Sequence, residues 1–427
     1  MKRISLLYLC LLLATARSGA QLSRSEAFHA KYELAEVVVL SRHNIRSPLS
    51  GNGSALSRIT PHEWFRWSSA PSELSLRGGV LETMMGQYFR QWLVGEGLIS
   101  EHEQASRDLR FYANSMQRTI ATAQYFSSGM LPVANVPVEH HCAIGTMDPV
   151  FNPQFTFMGD AFRRQAAREI AQMGGERGME GIGARMRENY KVLENMLDLR
   201  RSPACIEGDT CAFRMDNTEV VMEAWKEPAM RGDLRLANQA SDALILQYYE
   251  EEDARRAAFG HKLKLHDWEL IAEVKDWYGD VLFTAPSVAV HVAHPLLICM
   301  NDELSVPHRR FSFLCGHDSN IASVLAALEA EEYTLPQSIE KKTPIGSKLV
   351  IEKWRDAEGH EFCALNLVYQ STDQLRHLQM MGRENPPVVF PIRLKGLREN
   401  ADGLYTLLDL QQRFAKAITA YNYLPKD

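Results

Sequence analysis

The chain has 427 residues, of which 45% are hydrophobic and 23% are charged, a composition typical of a soluble globular protein with one large or two ordinary domains. The formal net charge is −6 and no basic tract occurs, which argues against a nucleic-acid-binding protein. No internal repeat, low-complexity segment or block of like charges indicates a fibrous or disordered protein.

The first twenty residues have the pattern of a secretory signal peptide. Lys2 and Arg3 precede the apolar run ISLLYLCLLLATA, and the small residues SGA follow it. The run is short for a membrane span, and the bulky Leu9 before Cys10 argues against a lipoprotein. We therefore expect residues 1–20 to be removed on secretion. Since they include three basic residues and no acidic one, their removal lowers the net charge from −6 to −9.

Six of the seven cysteines lie in the expected mature chain, and six allow up to three disulfide bonds in an oxidising compartment. They are Cys142, Cys205, Cys211, Cys299, Cys315 and Cys363. Cys205 and Cys211 enclose the turn-like sequence IEGDT and form the favoured pair, while other pairings and free thiols stay open. No C-x-x-C or H-x-x-x-H spacing occurs, and His140 and His141 have no third ligand at a useful spacing, so no metal site is predicted.

Two strand-to-helix junctions occupy the first third of the chain. ELAEVVVL (33–40) has the apolar pattern of a buried strand, SRHNIRSPL follows as a loop, and a helix is predicted over about 79–93. DLRFYANS (108–115) alternates like a strand, and MQRTIATAQYFSSGM predicts a helix that ends near Gly129. Each junction therefore predicts one strand of a sheet and one helix that covers it.

The middle of the chain is rich in helical patterns and has few strand patterns. Examples are FRRQAAREIAQM, RMRENYKVLENMLDL and LANQASDALILQYYEEEDARRAAF. We therefore expect residues 150–285 to form a smaller, mainly α-helical domain. It is inserted into an α/β core of residues 21–149 and 286–427, and it would form one wall of a cleft.

A third junction follows the predicted insertion. RFSFLCGHDSN predicts a strand through Cys315 and a turn at Gly316, which leads into the helix IASVLAALEA. The tail returns to strands, KLVIEKW, FCALNLVYQS and PVVFPIRL, and to a final helix at about 404–421. This order predicts an α/β fold with a mostly parallel sheet flanked by helices.

Charged and hydrogen-bonding side chains follow the carboxyl end of each junction strand. They are Arg42, His43 and Arg46 after the first strand, Asn114 and Arg118 after the second, and His317, Asp318 and Asn320 after the third. Ligands of open α/β sheets bind outside the carboxyl ends of the strands, and helix N-termini there favour anions. We therefore expect these residues to converge on one anion site.

These residue types suit the hydrolysis of a phosphate monoester. Guanidinium groups can neutralise the nonbridging oxygens, and a neutral His43 can attack phosphorus. Asp318 can protonate the leaving oxygen if its pKa is raised, and His317 adds a donor to the phosphate. No metal or other cofactor is needed, because the guanidinium groups supply the positive charge.

The motif R-H-x-x-R-x-P, followed much later by H-D, resembles the histidine acid phosphatases. RHNIRSPL, ANSMQRTIATAQ, TMDPVFNP, GHDSNIAS and TPIGSKLV together resemble the bacterial periplasmic glucose-1-phosphatase branch, in patches over most of residues 30–375. The resemblance implies a histidine-phosphatase-like α/β core with an inserted α domain and a periplasmic enzyme that forms a phosphohistidine. The expected partner is a small sugar phosphate ester such as glucose 1-phosphate, with no nucleic acid and no membrane after signal cleavage.

Carried over position by position, the resemblance makes His43 the nucleophile and Asp318 the proton donor. It assigns the phosphate pocket to Arg42, Arg46, Arg118 and His317. It also matches WKEP (225–228), which makes Glu227 a candidate for hydrogen bonds to sugar hydroxyls. Asn44 stands where the family usually has glycine, and a side chain there could narrow or reshape the pocket rim.

Several alternatives stay open at this point. A phytase or a broad-specificity acid phosphatase is the second candidate, although phytate would favour more Lys and Arg around the site. A binding protein for a phosphorylated ligand is less favoured, because binding needs neither a nucleophile nor an acid. Asp318 also suits a helix N-cap, Glu227 a solvated carboxylate, and Asn114 and Asn320 loop and helix-start hydrogen bonds.

Overall fold

The computed structural model describes residue 22 and residues 24–49, 54–214 and 216–427. The expected signal peptide, residues 1–20, lies outside this part of the chain. Within the described residues, no helix by itself has both the length and the apolar composition of a membrane span. The helices Leu265–Phe283 and Pro286–Glu303 meet those criteria only as a pair, which is bent by 84°.

The described residues form nine strands and fifteen α-helices. The strands are β1 (Tyr32–Arg42), β2 (Leu109–Ala113), β3 (Glu219–Val221), β4 (Ala229–Arg231), β5 (Phe311–Gly316), β6 (Lys348–Asp356), β7 (Glu361–Tyr369), β8 (Val388–Pro391) and β9 (Tyr405–Thr406). The helices are α1 (Glu26–His29), α2 (Ala55–Arg58), α3 (Leu76–Gly95), α4 (Gln117–Met130), α5 (Asp160–Gln172), α6 (Gly178–Arg185), α7 (Arg187–Met196), α8 (Pro203–Ile206), α9 (Asp233–Glu250), α10 (Ala254–Ala257), α11 (Leu265–Phe283), α12 (Pro286–Glu303), α13 (Asp318–Ala327), α14 (Thr372–His377) and α15 (Leu407–Ala420).

The main sheet is mixed, with strand order β2-β5-β1-β6-β7-β8 and β9 paired to β7. The three junction strands β2, β5 and β1 are parallel, whereas β6, β7 and β8 pair antiparallel. The α/β class is confirmed, but the expected mostly parallel sheet is wrong for the C-terminal strands. The reason is that β6 and β7 are joined by a short turn, and only a long crossover can return a strand in the parallel direction.

Helices cover both faces of the sheet, because strands such as β1 have apolar side chains on both faces. The centre of β1 is apolar at every position, as is usual for a strand that is buried on both sides. Val37 and Val39 pack in the cluster that includes α3 and α4. Val38 and Leu40 pack in the opposite cluster, which includes α12, α13 and α15. The carboxyl end of β1 therefore emerges between two helical layers.

The chain between α4 and α12 is mainly helical, as predicted, with one short hairpin of β3 and β4. Helices α7, α9 and α11 share a hydrophobic cluster through Leu193, Leu244 and Ile271. We propose that residues 150–285 are the inserted domain, since these helices pack mainly against one another. Trp64, from the segment between β1 and α3, joins the same cluster and connects it to the core.

Two further local predictions have clear outcomes. The disulfide bond between Cys205 and Cys211 is confirmed, and the other cysteines in the described part of the chain are unpaired. Helix α12 was not among the predicted helices, and Pro295 lies inside it. Proline normally interrupts a helical pattern, so the sequence there favours a break.

A buried ion pair supports the loop after β1. Lys348 Nζ lies 2.7 Å from Glu82 Oε1, and neither side chain is exposed to solvent. Glu82 Oε2 accepts a 2.8 Å hydrogen bond from Asn44 Nδ2. Asn44 is itself fully buried, so its side chain faces the core and does not reshape the pocket rim. Asn44 therefore anchors the loop to α3 and, through Glu82, to β6.

Replacing one partner of this pair should destabilise the protein strongly. Lys348→Met leaves Glu82 buried without a countercharge, and we expect a loss of about 3–5 kcal/mol in the free energy of unfolding. The double variant Lys348→Met/Glu82→Gln should regain most of that loss, because no buried charge is left. Urea unfolding measures both values, and equal losses in the single and double variants would contradict the buried-charge explanation.

Candidate active site

The carboxyl ends of β1, β5 and β2 lie side by side. In the parallel register, Arg42 is paired with Gly316, and Ala113 is paired with Cys315. The residues that directly follow the three strands therefore start from one edge of the sheet. This is the convergence that the three junctions predict.

A cavity of about 260 Å³ opens at this edge. Six of the seven predicted site residues line it, and they are His43, Arg46, Arg118, Glu227, His317 and Asp318. The seventh, Arg42, is buried beside the cavity, with Nη2 3.4 Å from Asp318 Oδ2. The structure thus brings all seven residues together, from segments that lie up to 276 positions apart along the chain.

The ring of His43 is oriented by its own loop. Nδ1 lies 2.9 Å from the carbonyl oxygen of Asn44, which can only accept, so Nδ1 carries the proton and Nε2 keeps a lone pair. Burial, and then the positive charges of Arg118 and Arg46, hold the pKa of His43 well below its usual value. The imidazole therefore stays neutral in mildly acidic solution, as a nucleophile requires.

The three arginines differ in how they are paired. Arg42 donates from Nη1 to Glu340 Oε1 at 2.7 Å and to the carbonyl oxygen of Thr343 at 2.6 Å. Arg46 donates to Asp242 Oδ2 at 3.0 Å. Each of these two guanidinium groups therefore has a carboxylate partner that fixes its position.

Arg118 has no ion pair or side-chain hydrogen bond within the described part of the chain, and its Nε is buried. Burial, and then the charge of Arg46, lower the pKa of Arg118 to about 10, so it remains a cation at neutral pH. A partly buried cation without a partner is costly. An anion in the cavity would remove that cost, which makes Arg118 the strongest single indication of an anionic ligand.

His317 is held by Asn114. The backbone N–H of Asp148 donates to Asn114 Oδ1 at 2.8 Å, so the Asn114 amide nitrogen faces His317 Nε2 at 2.7 Å. His317 Nε2 must then accept, and Nδ1 carries the proton. Burial, and then Arg118, lower the pKa of His317 well below its usual value. A neutral His317 with a donor at Nδ1 can hydrogen-bond a phosphate oxygen.

Asp318 begins α13, and its carboxylate is about one third exposed. Lys275 Nζ lies 2.7 Å from Asp318 Oδ2. Burial tends to raise the pKa of Asp318, but Lys275 and Arg42 outweigh it and hold the pKa well below the usual value. Without a bound anion, Asp318 is therefore a carboxylate in this geometry, and its role as a proton donor still requires a ligand that raises its pKa.

Glu227 lies in a segment that is clamped to the chain before α5. Trp225 N donates to the Phe155 carbonyl at 2.6 Å, and Phe155 N donates to the Lys226 carbonyl at 3.0 Å. Glu227 is an exposed residue that lines the cavity. Partial desolvation by the surrounding walls raises its pKa, although Arg118 acts in the opposite direction.

Sequence reasoning missed four residues of this site or underestimated them. Lys275 on α11, Asp242 on α9 and Glu340 in the loop before β6 carry no motif that distinguishes them from surface charges. Asn114 was assigned only an ordinary loop hydrogen bond. Its position directly after a junction strand was the available indication of its contact with His317.

The sequence matches a known family over both halves of the core. Residues 33–150 and 218–380 match the histidine phosphatase superfamily (branch 2). The chain belongs to this superfamily. It is 38% identical over 408 residues to the glucose-1-phosphatase of Salmonella typhimurium strain LT2, a match that covers 93% of this chain and 96% of that protein. It is 35% identical over 423 residues to the glucose-1-phosphatase of Providencia rettgeri, covering 97% and 99%.

The fold is also shared with a solved phytase structure. The apo form of the Hafnia alvei phytase has a TM-score of 0.84 and 23% sequence identity, and the match covers 93% of this chain and 99% of that chain. This likeness establishes the fold. The family match and the two glucose-1-phosphatases identify the chain as a phosphoric monoester hydrolase of the histidine phosphatase superfamily.

Removing the contact that orients His317 should slow the reaction without unfolding the protein. In Asn114→Ala, His317 loses the donor that fixes its tautomer, and we expect kcat to fall about tenfold, less than for the removal of a transition-state donor. KM should change little. Steady-state kinetics over a range of pH measures the effect.

Tyr112→Phe is the matched control, because the Tyr112 hydroxyl donates to Asp148 at 2.8 Å in the same loop but is not bonded to His317. An equal loss of kcat in both variants would assign the effect to the loop and would contradict the role of Asn114.

Proposed function

We propose that this chain is a secreted, metal-independent phosphatase that hydrolyses sugar phosphate monoesters through a phosphohistidine on His43. The main support is a single cavity in which a neutral imidazole with a free Nε2 lies beside the unpaired guanidinium of Arg118. Glucose 1-phosphate is the first candidate substrate, because two relatives that match nearly the whole chain are named glucose-1-phosphatase.

In the first step, the phosphate monoester enters with its nonbridging oxygens near Arg46, Arg118 and the Nδ1–H of His317. Their charge and donors stabilise the additional charge of the transition state. His43 Nε2 attacks phosphorus in line with the leaving oxygen, so the N–P bond forms as the P–O bond breaks. The leaving alkoxide takes a proton from Asp318.

In this scheme, substrate binding enables Asp318 to take up a proton. A phosphate dianion attracts Lys275 and Arg42 and repels the Asp318 carboxylate, and both effects raise its pKa. Asp318 can then take up a proton from acidic solution. In the second step, a water molecule attacks the phosphohistidine and gives its proton to the Asp318 carboxylate. Inorganic phosphate leaves, and His43 is again neutral.

The charges that line the cavity favour one phosphate on a neutral body over a polyphosphate. The lining has five carboxyl groups and four basic side chains, and these are Glu227, Asp242, Asp276, Asp280 and Asp318 against Arg46, Arg118, Lys275 and Lys342. Burial raises the pKa of Asp276 to about 7 and that of Asp280 to about 6. In acid these carboxyls can donate to sugar hydroxyls, while Glu227 at the mouth is placed to contact the sugar.

The phytase alternative is therefore not favoured, since phytate carries far more negative charge than this lining can neutralise. A non-catalytic binding protein has little support, because the free Nε2 of His43 and the position of Asp318 are not needed for binding. We also propose a periplasmic location. The pattern of residues 1–20 is typical of secretion, and the Cys205–Cys211 bond suits an oxidising compartment.

The central test is the variant His43→Ala, assayed on a panel of glucose 1-phosphate, glucose 6-phosphate and phytate in the presence of a chelator. The wild type should have its highest kcat/KM on glucose 1-phosphate, and His43→Ala should lose turnover by a factor of about a thousand or more. His102→Ala, at an exposed loop histidine, is the control and should be unaffected.

A His43→Ala protein that keeps most of the wild-type rate would remove His43 as the nucleophile. A higher kcat/KM on phytate would support the alternative substrate class.

The role of Asp318 predicts a dependence on the leaving group. Asp318→Asn cannot donate a proton, so turnover of alkyl phosphates should fall by roughly 10²- to 10⁴-fold. Turnover of p-nitrophenyl phosphate should fall much less, because p-nitrophenolate is stable without a proton. Parallel kcat measurements on both ester types make the comparison, and equal losses would rule out proton donation by Asp318.

A further inference from the structure

A cluster of two histidines and one aspartate lies outside the active-site cavity. His62 Nε2 is 2.7 Å from Asp198 Oδ2, and His261 Nε2 is 3.2 Å from the same oxygen. The three ligand atoms all lie within 4.8 Å of one another. None of the three residues lines the active-site cavity, and each side chain is 23–34% exposed, so solvent can reach the cluster.

The cluster joins three segments that are far apart in the sequence. His62 lies between α2 and α3, Asp198 lies just after α7, and His261 lies just after α10. The side chains converge only because the segments pack together in the helical region. No spacing in the sequence indicates this set, which explains why no metal site was predicted.

The backbone around the cluster is held in an uncommon conformation. Asp198 has φ 49° and Phe259 has φ 51°, and neither is glycine. Such left-handed residues cost free energy, and they are concentrated at functional sites, where the surrounding structure maintains them. The Phe259 ring stacks on His62 with centroids 5.0 Å apart and an interplanar angle of 14°. The stacking orients the His62 ring, so one strained turn positions a ligand of the cluster.

We propose that His62, Asp198 and His261 form a structural zinc site. Two imidazole nitrogens and one carboxylate oxygen are donors that Zn²⁺ prefers, and the fourth position of a tetrahedron would be filled by water. Around such an ion, neighbouring donor atoms lie about 3.3 Å apart. The observed distances of 2.7 and 3.2 Å would have to lengthen by about 0.6 and 0.1 Å, respectively.

Zinc binding requires the proton of each imidazole ring, His62 and His261, to move from Nε2 to Nδ1. Each Nε2 gives up its hydrogen bond to Asp198 and presents a lone pair to the ion, and each neutral imidazole then carries its proton on Nδ1. The carboxylate oxygen Oδ2 of Asp198 already lies between the two ring nitrogens, in the position of a shared ligand.

The bound ion would crosslink the helical region and would not take part in hydrolysis. Asp198 leads through a short 3₁₀ segment, Leu199–Arg201, into α8, which carries the Cys205–Cys211 bond. A metal at Asp198 would therefore fasten this part of the chain to the turns on either side. Since a ligand that binds only the folded state stabilises it, Zn²⁺ should raise the melting temperature and leave the phosphatase rate unchanged.

The test uses the full-length, untagged protein after treatment with a chelator and its removal. Titration calorimetry with ZnCl₂ near neutral pH should show one equivalent of bound Zn²⁺, and the melting temperature should rise. Co²⁺ should give the visible absorption of a tetrahedral site. His62→Ala and His261→Ala should each weaken Zn²⁺ binding by roughly tenfold or more and abolish the rise in melting temperature.

Two further variants keep the test decisive. Asp198→Asn preserves the size of the side chain but removes the anionic ligand, so a folded, active Asp198→Asn protein should still lose Zn²⁺ affinity. His360→Ala is the matched control, because His360 belongs to a second, more exposed group with Asp356 and Glu358 in the β6–β7 turn. It should bind Zn²⁺ as the wild type does.

The proposal is overturned if the wild type binds no Zn²⁺, which would leave a hydrogen-bonded His–Asp–His cluster only. It is equally overturned if binding survives in both His62→Ala and His261→Ala. Loss of binding in His360→Ala alone would assign the ion to the β6–β7 turn.

Discussion

Buried positive charge that is only partly paired is the constraint on which the rest of this site depends. Glu340 and Asp242 each hold one guanidinium group in place, while Arg118 is partly buried, with a buried Nε, and has no partner in the described chain. This arrangement costs free energy until an anion enters. The same field, together with burial, keeps His43 and His317 neutral. One electrostatic feature therefore attracts the phosphate and also preserves the nucleophile that attacks it.

Residues outside the cavity fix the position of the loop that carries His43. The side chain of Asn44 is bonded to Glu82, which is paired with Lys348, while the carbonyl of Asn44 orients the ring of His43. Lys348 reaches this position because β6 runs antiparallel to β1, with Ser41 opposite Lys348. The antiparallel part of the mixed sheet is thus directly connected to the catalytic loop. It supports one side of the cavity, while the catalytic side chains follow the parallel strands.

The helical region contributes more than a wall to the cleft. Lys275 on α11 reaches Asp318 and, with Arg42, decides the charge of the proposed proton donor. Asp242 on α9 pairs with Arg46 and helps to balance the charge of the lining. A change in the helices can therefore alter substrate preference and the protonation of Asp318 without touching the nucleophile.

The sequence by itself determined the three strand-to-helix junctions, the residues that follow them, the helical middle and the Cys205–Cys211 pair. Each of these follows from local periodicity, turn chemistry or short spacing, which a single sequence contains. Only the tertiary structure decided the antiparallel strands, the direction of the Asp318 pKa shift, the contact of Asn114 with His317 and the meeting of His62 with Asp198 and His261. These depend on through-space distances between side chains that are tens to hundreds of positions apart, and electrostatic and hydrogen-bond energies follow distance in space and not separation along the chain.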